Sequence, residues 1–157
     1  MNYFTPEDIL NFAIKIEEEG EEFYRNAAKL SEDDEIASVF NRLAEDEVEH
    51  KEFFENMKSE IDEDKKMETY PEEYISFVES YISNVVFPDD DAEKTVKKVD
   101  DPLDAVNFAI KAELDSILFY HETMPLMAMS HHKTINRIIE EERKHFMDLL
   151  DIKKKLK

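Results

Sequence analysis

Cysteine is absent from the 157-residue sequence, which excludes disulfides, thiolate nucleophiles, zinc ribbons and Cys-ligated iron–sulfur clusters together. Any bound metal must then be held by histidine and carboxylate. Glycine occurs once and proline five times, too little turn chemistry for an all-β fold, so the long periodic stretches point to an all-α class. No apolar stretch approaches the roughly 20 residues that span a bilayer. The N-terminus, Met1-Asn2-Tyr3-Phe4-Thr5-Pro6-Glu7-Asp8, has neither a basic start nor an apolar run, so no export signal is expected and the expected location is the cytoplasm. Positive charge is scarce as well: 20 Lys and Arg face 40 Asp and Glu, a formal net charge of −20. Such a surface repels phosphate, which makes nucleic acid and anionic membranes poor partners. The only Lys-rich run, Lys153 to Lys157, sits where the negative end of a helix dipole would favour it. With 41% apolar residues the chain still carries core material, and the acidity reads as the coat of one small domain over residues 1–157.

Four long helices are expected. Thr5 as N-cap, Pro6 at the first helical position and Asp8 two residues further open the first, which should run to about Leu30. Ser31, with Asp34 three residues on, reads as the N-cap of a second helix reaching about Ile61. Asp101-Pro102 opens a third in the same style as Thr5-Pro6, and it should end or kink near Met124-Pro125. The fourth is expected from near Ser130 through Ile152. Hairpin one is thus placed at about 5–61, a crossover at about 62–101 and hairpin two at about 102–157. Within the crossover, Tyr74, Phe77, Val78, Tyr81, Ile82 and Val85 have the spacing of a short amphipathic helix, stopped by Phe87-Pro88 and followed by a loop at Asp89-Asp90-Asp91. Two helical hairpins joined by one long crossover is the ferritin-like kind of four-helix bundle.

The second hairpin copies the first. Phe12-Ala13-Ile14-Lys15-Ile16-Glu17 is answered by Phe108-Ala109-Ile110-Lys111-Ala112-Glu113, and Phe23-Tyr24 by Phe119-Tyr120, at an offset of 96. Glu47-Val48-Glu49-His50 is matched by Glu142-Arg143-Lys144-His145 at an offset of 95. An internal duplication and a pseudo-twofold bundle follow.

Writing out the core stripe of each helix at spacings of three and four places polar residues inside apolar series. The first stripe is Leu10, Ala13, Glu17, Gly20, Tyr24; the second is Ile36, Phe40, Leu43, Glu47, His50, Phe54, Met57, Ile61. The third is Val106, Ala109, Glu113, Ser116, Tyr120; the fourth is Ile135, Ile138, Glu142, His145, Leu149, Ile152, Leu156. Four carboxylates and two imidazoles therefore point inward. An unpaired buried carboxylate costs several kcal/mol even after relaxation, so four together require compensation. Two divalent cations supply it, because four negative charges and two neutral imidazoles balance four positive charges. Heights agree: Glu17 lies 14 residues before Ser31 and Glu47 lies 16 after it, while Glu17 and Glu113 each fall 11 residues past the helix-opening proline. At 1.5 Å per residue that depth is about 16 Å.

With 25 glutamates in the chain, one Glu-x-x-His is a weak sign; register, matched height and duplication together make the case. The competing reading is buried ion pairs or solvent-filled polar layers. Gly20, unfavourable inside a helix, leaves room either for a ligand or oxygen access, or for close packing. Tyr24 and Tyr120, each seven residues after a candidate ligand, are candidates to hydrogen-bond the carboxylates or carry electrons, a satisfied core hydroxyl being the plainer reading. His121, His131 and His132 are expected to face solvent near the end of the third helix and in the following turn.

This arrangement resembles the rubrerythrin-like branch of the ferritin-like di-iron carboxylate proteins. The resemblance runs over nearly the whole chain, through Glu17, Glu47-x-x-His50, Glu113 and Glu142-x-x-His145, and it implies two bound irons that react with hydrogen peroxide or dioxygen. Two departures stand out. Ser116 occupies the place where such proteins usually carry a further carboxylate three residues after the third-helix ligand. Such proteins also carry a rubredoxin domain with two Cys-x-x-Cys pairs, whereas this sequence has no cysteine, so electrons are expected to come from a separate donor. The expectation is a non-haem di-iron oxidoreductase with metal ligands Glu17, Glu47, His50, Glu113, Glu142 and His145, Glu47 and Glu142 being candidates to bridge. Manganese or zinc also suits carboxylate plus imidazole. The alternatives are an iron-sequestering protein and a bundle that metal merely holds together. A second copy of the chain is a candidate partner through the crossover helix, Tyr74 to Val86.

Overall fold

The computed structural model describes residues 5–61, 70–86 and 101–157. Its helices are α1 (Pro6–Leu30), α2 (Asp34–Ser59), α3 (Glu72–Tyr81), α4 (Pro102–Thr123) and α5 (Met129–Leu156). A π-helical turn, Ile82–Val86, extends α3, and a 3-10 turn, Met124–Leu126, separates α4 from α5. Phe87-Pro88 and the Asp89 to Asp91 loop lie outside the described residues. No helix among the described residues is long and apolar enough to cross a membrane.

Local chemistry accounts for the boundaries. Thr5 and Asp8 form a reciprocal capping box: the Asp8 N–H donates to Thr5 Oγ1 at 3.1 Å and the Thr5 N–H donates to Asp8 Oδ2 at 2.9 Å. Asp101 caps α4 by accepting from Leu103 N–H at 2.8 Å and Asp104 N–H at 3.2 Å. Ser31 is not the N-cap of the second helix. It closes α1, and Asp33 caps α2 by accepting the Ile36 N–H at 3.0 Å. An ionised side chain at the positive end of the helix dipole makes Asp33 the better cap. Pro125, which cannot donate, falls in the 3-10 turn that ends α4.

α1 packs along α2 and α4 along α5, and the hairpins meet through α2 against α5 and α1 against α4. This is the all-α, ferritin-like bundle expected. Two tyrosine hydroxyls strap the crossover helix α3 to α4, Tyr74 donating to the Glu122 carbonyl and Tyr81 to that of Asp115 at 2.8 Å, and Tyr70, just before α3, donates to the Pro125 carbonyl in the turn after α4. Val78, Tyr81 and Ile82 of its apolar stripe are buried within the molecule, while Phe77 is 48% exposed.

The apolar core falls into two clusters. One gathers Leu10, Ala13, Phe54, Phe119, Tyr120 and Ile139 with the crossover residues Val78, Tyr81 and Ile82. The other gathers Tyr24, Phe40, Leu43, Ala44, Ala109 and Leu149. On each long helix the buried Glu or Glu-x-x-His lies between residues of the first cluster and residues of the second. A polar layer is thereby sealed between two apolar plugs.

Candidate metal centre

Glu17, Glu47, His50, Glu113, Glu142 and His145 are all buried, none exposing more than 4% of its surface. Helix periodicity brings them together: one residue from α1, two from α2, one from α4 and two from α5 meet at a single level. His50 Nδ1 lies 3.2 Å from Glu142 Oε1 and 3.4 Å from Glu17 Oε2. His145 Nδ1 lies 3.0 Å from Glu142 Oε2, 3.2 Å from Glu47 Oε1 and 3.5 Å from Glu113 Oε1. The two imidazoles stack with centroids 5.7 Å apart and 21° between their planes.

The ligand atoms form two overlapping groups, each with its atoms within 4.8 Å of one another: Glu17, Glu47, His50 and Glu142, and Glu47, Glu113, Glu142 and His145. Glu47 and Glu142 belong to both. Each group thus holds one private glutamate, one private histidine and the shared pair, the division that a two-ion site with two bridging carboxylates would require. Among the described residues, the buried side-chain atoms lacking a hydrogen-bond partner are Glu17 Oε2, Glu47 Oε1, Glu142 Oε2, His50 Nδ1 and His145 Nδ1. All five point into this cluster. Buried polar atoms are ordinarily satisfied, so five that crowd together without hydrogen-bond geometry on one spot fit a cation site.

Protonation in the metal-free chain tells the same story. Burial, then repulsion from Glu142 and Glu17, pushes the Glu47 carboxyl well above the usual carboxylate range. Burial and the Glu142 charge do the same to Glu113. Glu142, although burial opposes it, is held well below its ordinary value by His145 and His50. Burial would lower His50, but the adjoining Glu142 and Glu17 carboxylates outweigh it and carry the imidazole up to about 11. Three of these shifts, at Glu47, Glu113 and His50, favour holding protons in the metal-free cluster.

The far nitrogen of each imidazole is engaged across the bundle. His50 Nε2 lies 2.7 Å from Glu141 Oε2 on α5, and His145 Nε2 lies 3.1 Å from Asp46 Oδ2 on α2. Neither Asp46 nor Glu141 stood out in the sequence, where they are two acids among 40. A signal was present: each immediately precedes a Glu-x-x-His, and they are 95 residues apart, the offset of the duplication. The tyrosines cross over in the same manner. Tyr24 on α1 donates its hydroxyl to Glu113 on α4, and Tyr120 on α4 donates to Glu17 on α1.

The Rubrerythrin family model matches residues 8–153. The chain belongs to the rubrerythrin family. A crystal structure from Thermotoga maritima, of a protein provisionally assigned as a ferritin-like diiron-carboxylate protein, is 31% identical with a TM-score of 0.75, covering 98% of this chain and 97% of that one. No curated protein gives a significant match.

Within this rubrerythrin-family bundle the remaining sequence candidates separate. Ser116 is half-buried and turns its hydroxyl back to the Ala112 carbonyl at 2.9 Å, so no seventh side chain from this position joins the cluster. His121 is exposed, with Arg143 Nη2 at 3.4 Å. His131 and His132 are half-buried and not solvent-facing: His131 Nε2 lies 3.8 Å from Glu60, and His132 Nε2 lies 3.0 Å from the Met127 carbonyl. The tight turn between α4 and α5 folds both back against the bundle end.

Proposed function

We propose that the rubrerythrin-family centre binds two iron ions and that the protein is a non-haem oxidoreductase, reducing hydrogen peroxide or dioxygen with electrons from a separate donor. Glu17 and His50 would hold one ion, Glu113 and His145 the other, and Glu47 and Glu142 would bridge them. The observation that carries this reading is the pair of overlapping four-residue groups with their converging unsatisfied atoms. The diiron assignment given to the Thermotoga maritima protein supports iron over manganese or zinc. Iron when bound supplies one electron per ion by passing between its ferrous and ferric states.

The chain's own residues do the rest. Asp46 and Glu141 fix the tilt of the two imidazoles and keep Nδ1 aimed inward, the usual task of a carboxylate behind a metal-binding histidine. Tyr24 and Tyr120 tie down the private glutamates, Glu113 and Glu17, each by one oxygen. The apolar plugs on either side exclude bulk water, and six protein ligands for two ions leave room for a small oxidant. Residues 1–157 hold no cysteine to relay electrons, which supports a separate donor.

The test is turnover. Iron-loaded protein given peroxide and an artificial reductant is expected to consume many equivalents of peroxide per chain, and the double variant Glu47→Ala with His50→Ala to consume none above background. Iron uptake far beyond two per chain, with no reductant-dependent turnover, would replace the proposal with a storage role.

A further inference from the structure

Gly20, the only glycine in the chain, sits in the middle of α1, three residues after Glu17. Its backbone does not call for glycine, since no glycine among the described residues has a positive φ. Helix propensity argues against it there, because glycine is the poorest helix former after proline. The reason for it lies on the neighbouring helix. A Cβ placed on residue 20 would stand 2.9 Å from Glu47 Oε2, 3.2 Å from its Cδ and 3.4 Å from its Cγ. Contacts under 3.0 Å are essentially never made by real Cβ atoms. The hydrogen on Gly20 therefore faces the carboxylate of a residue common to both four-residue groups.

We propose that Gly20 is a positioning residue for Glu47: the missing Cβ is the space the carboxylate fills, and it places Glu47 where both halves of the cluster share it. The magnitude decides that this matters. Restoring ordinary contact, 3.4 Å in place of 2.9 Å, moves the carboxylate oxygen by 3.4 − 2.9 = 0.5 Å, whereas metal–ligand distances tolerate roughly 0.2 Å. Glu47 has little freedom to retreat, because His145 Nδ1 already stands 3.2 Å from its other oxygen. The consequence for metal rests on the function proposed above; the steric coupling of Gly20 to Glu47 does not.

The experiment is a double-mutant cycle of Gly20→Ala and Glu47→Ala, read by melting of the metal-free proteins and by anaerobic ferrous iron titration. In the Glu47→Ala background, where nothing occupies the space, Gly20→Ala is expected to raise the melting temperature by about 2–4 °C through helix propensity. With Glu47 present that gain should vanish or reverse, and binding of the second iron should weaken by about 10–100-fold. Equal melting gains in both backgrounds with unchanged iron affinity would overturn the proposal. Should Gly20→Ala alone fail to fold, a folded double variant supports the clash with Glu47 and an unfolded one refutes it. A wild-type protein that binds no iron would sink the function proposed above, while non-additive melting would still uphold the coupling.

Discussion

His50 on α2 and Glu141 on α5 meet at 2.7 Å across the interface between the two hairpins, and the duplication repeats the pairing in reverse, His145 on α5 with Asp46 on α2 at 3.1 Å. The hairpins are thus stitched by the same side chains that aim the two imidazoles. Glu141 is 23% exposed and Asp46 36%, so each links a buried nitrogen to the surface. Arg137 adds a grip on Glu141 at 3.1 Å. Replacing Glu141 by Gln or Asp46 by Asn should leave the bundle folded and lower metal affinity by about 10–100-fold. Competition against a chelator of known strength measures it, and unchanged affinity in both variants would deny these carboxylates their role.

Tyr24→Phe and Tyr120→Phe each remove a buried donor and strand a carboxylate oxygen of Glu113 or Glu17. Each is expected to destabilise the metal-free protein by about 1–3 kcal/mol. Urea unfolding gives the value. In metal-loaded protein the cost should shrink, since a cation would then hold the same carboxylate.

The metal-free protein should lose stability as pH rises. His50 is lifted from its ordinary 6.5 to about 11 because the adjoining carboxylates outweigh the opposing effect of burial. A raised pKa means tighter proton binding in the folded state, so this stabilisation is complete below about 6.5 and disappears as pH climbs towards about 11. The raised carboxyls of Glu47 and Glu113 act in the same direction. Melting temperatures of chelator-treated protein should therefore fall between about pH 6 and pH 9. Metal competes with these protons, so loaded protein should show a weaker fall or a rise. A metal-free profile that rises with pH would contradict this account of the charge balance.

Leu43 and Leu149 are fully buried in the apolar plug on the Tyr24 side of the cluster. Truncating either to Ala should cost about 2–5 kcal/mol. Beyond the stability loss, a breached plug admits water to the polar layer, so bound metal should exchange faster with a chelator even where the variant remains folded. Loss of stability without faster exchange would show that the plug does not guard the site.

The polar cluster was legible in the sequence because it breaks a rule. Glu17, Glu47, Glu113 and Glu142 sit on apolar stripes where a charge is costly, and His50 and His145 share those stripes one turn away. The capping signals at Thr5 and Asp101 are equally local, and they placed two helix starts correctly. What escaped reading depends on distance in three dimensions. Asp46 and Glu141 lie off the stripe, so only their contact across hairpins distinguishes them from other surface acids. Gly20 was open between a ligand's space and packing until Glu47 appeared opposite it. Ser116 shows the converse: stripe position alone did not turn its hydroxyl inward, because the Ala112 carbonyl of its own helix was the nearer partner. Ser31 lost the cap to Asp33 for the same kind of local reason, a better acceptor two residues on.

The most direct test of the two-metal centre is elemental analysis of protein from iron-supplemented cells, wild type beside Glu47→Ala with His50→Ala. About two metal ions per wild-type chain, mostly iron, are expected, matching the two groups of ligand atoms, and their loss is expected in the variant. Little or no metal in a well-folded wild-type protein would contradict it and leave a bundle whose buried carboxylates are balanced by protons alone.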